Sequence, residues 1–114
     1  MRERVHAFMQ ARLTRNDTRV RTFLAAAYHR RYANEDPTTL IGDSEPHYHR
    51  YRLLGLTQIG AEAWRATVRI EIHARGFYPI GWITEEIDLA PMQGEWQVTR
   101  VTRLETHTYT DTAR

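Results

Sequence analysis

The stretch from Trp64 to Ala74 constrains the chain most. Trp64, Ala66, Val68, Ile70, Ile72 and Ala74 alternate with Arg65, Thr67, Arg69, Glu71 and His73. Side chains leave a strand on alternate sides, so this run predicts a strand with one apolar and one charged face. The apolar face needs a second layer to cover it. Three more strands are expected around it. Tyr48 to Thr57 ends in a turn over Gln58 to Glu62, Ile80 to Leu89 follows a turn at Gly76 to Pro79, and Glu95 to Glu105 follows Pro91-Met92-Gln93-Gly94. In the last strand Trp96 and Val98 share a face while Val101 is out of phase, which predicts a bulge near Thr99–Arg100. The polar tail, residues 106–114, is expected to fray.

The covering layer is sought upstream. Residues 3–14 read as a helix with Val5, Phe8, Met9 and Leu13 at helical spacing, and with Arg4, Gln10 and Arg12 elsewhere. Arg15-Asn16-Asp17-Thr18 is a polar break in which Asp17 or Thr18 caps the next helix. That second helix is predicted from Arg19 to Tyr32, with Val20, Phe23, Leu24, Ala27 and Arg31 on one stripe, stopped before Pro37. Thr38 to Pro46 is a loop with room for one helical turn. These elements predict a single α+β domain over 1–114, with its core in about 3–105. Two N-terminal helices are expected to pack on a curved four-stranded antiparallel sheet.

Absent residue types exclude several chemistries. The 114 residues contain no cysteine and no lysine, so disulfides, thiolates, Schiff bases and a P-loop lysine are all ruled out. Ser44 is the only serine and lies in GDSEP, not in a nucleophile elbow. Any chemistry falls to carboxylates, histidines, tyrosines and arginines. The basic residues are all arginine, and they are dispersed among 14 acids instead of gathered on one face, so no nucleic-acid partner is expected. No apolar run is long enough for membrane insertion. The chain reads as cytoplasmic as written, or as a soluble extracytoplasmic domain of a longer bacterial protein.

VHAFMQARL, the break RND, VRTFLAAAYHRRY and the strands WRATVRIEI, ITEEIDL and EWQVTRV together resemble the NTF2-like superfamily. This is the cystatin-like α+β cone shared by ketosteroid isomerases and SnoaL-type proteins. The resemblance covers roughly Val5 to Glu105. It implies a cone with a pocket at its wide end and a homodimer packed through the sheet. It does not imply one reaction, because function lives in the site. The ketosteroid isomerases use an aspartate base beside a tyrosine and a protonated acid, and no aspartate here falls on an apolar face.

Glu85 is the sharpest anomaly. It shares the apolar phase of its strand with Ile83, Ile87 and Leu89, where a carboxylate is costly unless it is paired. It is a candidate general base, or else the partner of a core-facing arginine such as Arg31. In an extended segment His47, His49, Tyr51 and Leu53 point one way, so H-x-H can chelate from one face. A third ligand is needed, with His73 and Glu85 as alternatives. Tyr28 and Tyr32, one helical turn apart, suit a pocket mouth, or else are core tyrosines with solvated tips. The expected pocket set is therefore Tyr28, Tyr32, His49, Tyr51 and Glu85. The expected dimer face is Arg69, Glu71, His73 and Trp82. No metal and no cofactor are expected. Without a matched catalytic trio the reading favours a non-catalytic, homodimeric module that binds a small apolar or amphipathic ligand or a partner. The alternative is an isomerase or hydrolase with Glu85 as base.

Overall fold

The computed structural model describes residues 1–34, 38–43, 47–74 and 78–109. Among these the chain forms helices α1 (Arg2–Leu13), α2 (Asp17–Phe23), α3 (Ala26–Tyr32) and α4 (Thr38–Ile41). Strands β1 (His47–Gly60), β2 (Ala63–Ala74), β3 (Tyr78–Met92) and β4 (Glu95–Thr108) come after them. The strands pair antiparallel in chain order, so β1 and β4 are the edges. The segment expected to stop the second helix at Pro37, the end of the loop at Ser44 to Pro46, the turn residues Gly76 and Phe77, and the tail from Thr110 lie outside the described residues.

The sheet agrees with the sequence pattern, but the layer above it does not. The expected pair of helices packed on a curved sheet to close a cone is not what the chain builds. The described residues are 56% strand against 30% helix, and the helices are four short pieces. Geometry explains the mismatch. At about 3.3 Å per residue a strand of β3's length outruns a helix of α1's length, at 1.5 Å per residue, by a factor of about two to three. The result is an elongated body of 53 × 27 × 21 Å. The far end of β1, from Thr57, is exposed.

The predicted second helix breaks at Leu24 and Ala25, whose ψ angles of 135° and 151° are extended. Leu24 forms a parallel bridge to Val98, and Ala25 N–H donates to the Val98 carbonyl at 2.7 Å. Leu-Ala-Ala-Ala has good helix propensity, so here pairing with the edge strand β4 overrides it. After the break α3 starts in a new phase: Tyr28 and Tyr32 are buried, whereas Ala27 and Arg31 are not on the buried stripe. The cap of α2 is Asn16, not Asp17 or Thr18, with its side chain accepting from Arg19 N–H at 3.1 Å.

Bulges set which side chains face the helices. Thr99 is the extra residue where Asp88 pairs with Arg100 and Leu89 with Val98, as the phase of Val101 predicted, and Leu104 is a second one. On β1 the extra residues are His49, Leu54 and Ile59. The tail expected to fray from Thr106 instead continues β4 to Thr108. The core gathers Val5, Phe8, Met9, Val20 and Phe23 from the helices against Val68, Ile70, Ile83, Ile87, Leu89 and Val98 of the sheet. No helix among the described residues is long and apolar enough to cross a membrane.

Candidate functional site

α4 and the sheet enclose a cavity of about 510 Å³, with Ile72, Ile83 and Val101 as apolar wall and Thr38, Thr39, Asp43, Tyr48, Glu85 and Arg103 as polar lining. Glu85 forms its floor and is 2% exposed. Arg12 Nη2 donates to Glu85 Oε1 at 2.8 Å, and Arg103 Nη2 donates to Oε2 at 3.3 Å. Arg12 is fully buried, and its Nε donates to the Leu40 carbonyl at 2.7 Å, which anchors α4 to α1. Both carboxylate oxygens are thus engaged, as a buried acid requires. The partners are Arg12 and Arg103, not the expected Arg31, because the phase change at Leu24–Ala25 turns Arg31 outward.

Arg103 also donates from Nη2 to Tyr48 Oη at 3.2 Å, while its side chain stays 46% exposed. Burial is the main cause that raises the Tyr48 phenol above its ordinary pKa; Glu85 adds to it, and Arg12 and Arg103 oppose. Tyr48 is seated by Gly42, which ends α4 at φ 69°, a conformation that favours glycine. A Cβ at Gly42 would lie 3.0 Å from the Tyr48 ring, so the ring packs where a side chain would otherwise be.

Of the five expected pocket residues, only Glu85 lines this cavity. Tyr32 is core, with Oη donating to Asp17 at 3.2 Å, and burial raises its pKa. Tyr28 is 6% exposed beneath the Arg31 guanidinium, which lies 5.3 Å from its ring centroid. Tyr51 hydrogen-bonds His6 of α1, and its pKa is raised by burial. His49 is exposed on the opposite side of β1. Parity does not join His49 to Tyr51, because His49 is itself the bulge. Beyond it Tyr48, Tyr51 and Leu53 face Ile72, Ile70 and Val68, while Arg50 and Arg52 face Glu71 and Arg69.

Two of the missed residues had a signal in the sequence. Arg12 is seven residues after Val5, four after Phe8 and three after Met9, which places it on the buried stripe. Arg103 lies two residues after Val101, so the bulge that returns Val101 inward brings Arg103 with it. Tyr48 had no such signal, because nothing in HYHRYR marks the inserted residue.

The outer sheet face is polar. Trp82 is sandwiched between Arg69, 4.0 Å from its ring centroid, and His107, stacked at 4.9 Å. A second cavity of about 420 Å³ is lined by Arg50, Tyr51, Arg52, Arg69, Glu71, Trp82 and Tyr109. Beside it His47, His49 and His73 converge at one end of β1 and β2. Loss of solvent, then the neighbouring His73 and His47, lowers the His49 pKa. The hydrogen bond from His73 lowers that of Glu71. No family model matches the chain, and no curated protein matches it either.

Proposed function

We propose that the chain is a non-catalytic binding module whose inner cavity holds a small amphipathic ligand with an acidic head. The observation that carries this reading is the floor of the cavity. Arg12 and Arg103 together engage one carboxylate there, and Arg103, whose side chain is still 46% exposed, keeps N–H groups that can donate to a ligand oxygen beside Tyr48. Ile72, Ile83 and Val101 suit an apolar tail. Glu85 is the weak point of the alternative, isomerase or hydrolase chemistry. A base must reach its substrate, and Glu85 is 2% exposed with each of its oxygens held by an arginine. A homodimer through the outer sheet face belongs to the same proposal. Its contacts would be Arg69, Glu71 and His73 around Trp82, which is already sandwiched.

Native mass spectrometry of freshly purified protein tests for a carried ligand and for the dimer. Calorimetric titration with decanoate and with decanol tests the acidic head. Decanoate is expected to bind more tightly than decanol, and Arg103→Ala to weaken it at least about tenfold, the scale of one charge-assisted hydrogen bond. Equal affinity for the two probes, or an unchanged affinity in Arg103→Ala, overturns the acidic-head reading. A purely monomeric mass overturns the dimer.

A further inference from the structure

His47, His49 and His73 on the outer face form a group that the inner cavity does not use. His47 and His73 are directly paired across β1 and β2, and His49 is the bulged residue beside them. Their rings lie close together: His49 stacks on His73 with centroids 3.8 Å apart, and His47 stands 5.9 Å from His49 and 6.0 Å from His73 at steep angles. One ring nitrogen from each falls within 4.8 Å of the other two.

The hydrogen bonding of His73 gives an independent reason to look for a ligand. Its Nε2 is bonded to a Glu71 carboxylate oxygen, and because a carboxylate only accepts, Nε2 carries the proton. In the neutral imidazole Nδ1 then presents a lone pair. That atom is buried, the residue is 7% exposed, and among the described residues nothing hydrogen-bonds it. Buried polar atoms in folded chains are nearly always satisfied, so an orphaned imidazole acceptor beside two other imidazoles points to an electrophile. A carboxylate that holds one nitrogen of a histidine, with the other nitrogen directed at a cation, is the common outer arrangement of metal-ligating histidines.

We propose that His47, His49 and His73 form a binding site for a divalent cation of zinc type, with Glu71 fixing the tautomer of His73. Three imidazoles favour a borderline cation such as Zn²⁺ over the hard, oxygen-seeking Ca²⁺ or Mg²⁺. Bonds of roughly 2.0–2.1 Å in a tetrahedral site bring ligand nitrogens to roughly 3.3 Å apart, so on binding the cluster must close and one ring of the His49–His73 stack must turn, because an imidazole donates in its own plane. His49 supplies that movement, since it is exposed and sits on the inserted residue of an edge strand. Three protein ligands leave a fourth position for water or a small anion. The site is on the opposite sheet face from Glu85 and stands or falls independently of the inner cavity.

The test is calorimetric titration of the chelator-treated full chain with ZnCl₂ at neutral pH, alongside the variants His49→Ala and His107→Ala. One ion per chain is expected. His49→Ala should weaken binding at least about tenfold without altering the far-ultraviolet circular dichroism, because the side chain is exposed on the outer face. His107→Ala, which removes an exposed histidine outside the cluster, should leave affinity unchanged. Long-range nitrogen–proton spectra should show zinc moving the ring signals of three histidines and leaving those of His6, His29 and His107 in place. Absence of binding, binding by His49→Ala equal to that of the parent, or equal losses in the two variants overturns the proposal.

Discussion

Glu85 and Asp88 lie three residues apart on β3, face opposite sides of the sheet, and are each held by arginine. Glu85 and its partner Arg12 are 2% and 0% exposed, whereas Asp88 and Arg65 are 17% and 38% exposed. The outer pair has the better geometry, with two arms of Arg65 on the two Asp88 oxygens at 2.8 and 3.1 Å. Geometry does not decide which pair matters more. Water stands in for a lost partner on the outer face, whereas on the inner one a 2% exposed Glu85 would keep only its longer contact to Arg103.

The largest expected effect comes from that difference. Arg12→Ala strips Glu85 of its closer partner and frees the Leu40 carbonyl, and is expected to cost about 3–5 kcal/mol in urea denaturation. Replacing both members with apolar residues of similar size, Arg12→Met with Glu85→Leu, should recover most of that loss, because no charge is then left buried. A double variant as unstable as the single would mean that packing, not charge, sets the cost. Arg65→Ala on the outer face should give only a small fraction of the Arg12→Ala loss under the same conditions.

Alkaline pH gives an intermediate effect. The folded chain holds the Tyr48 phenol above its ordinary pKa of 10.0, chiefly through burial. Between that ordinary value and the raised one, the folded state keeps a proton that the unfolded state has lost. The contribution is therefore whole below about pH 10 and declines as pH rises beyond it, by up to about 1.4 kcal/mol per pH unit. Denaturation midpoints measured from pH 9 to 11.5 should fall less steeply in Tyr48→Phe than in the parent. Parallel curves would show that Tyr48 ionises in the folded chain as readily as in the unfolded one.

The strong alternation of β2 and the hairpin turn before β4 were legible because each depends on local chemistry alone. The turn is closed by Gln93 and Gly94 at φ 53° and 83°, a pairing a two-residue hairpin demands. The break at Leu24–Ala25 was not legible, since its cause is the Val98 carbonyl more than seventy residues away. The inner site was half legible. Glu85 announced itself by a charge on an apolar phase, and Arg12 by its spacing from Val5, Phe8 and Met9. Tyr48 and His49 changed sides because parity holds only while the ladder has no inserted residue.

That insertion has a consequence for how the chain can change in length. Tyr48 pairs with Ile72 and Arg50 with Glu71, so the ladder already runs as though His49 were absent. Deleting that one residue would leave every later pair of β1 in register and every inward side chain inward. The sheet would scarcely register the shortening, but the cluster of His47, His49 and His73 would lose one of its three imidazoles. At this place a one-codon deletion is milder for the fold than many substitutions, and it separates the architecture of the chain from whatever the histidines hold.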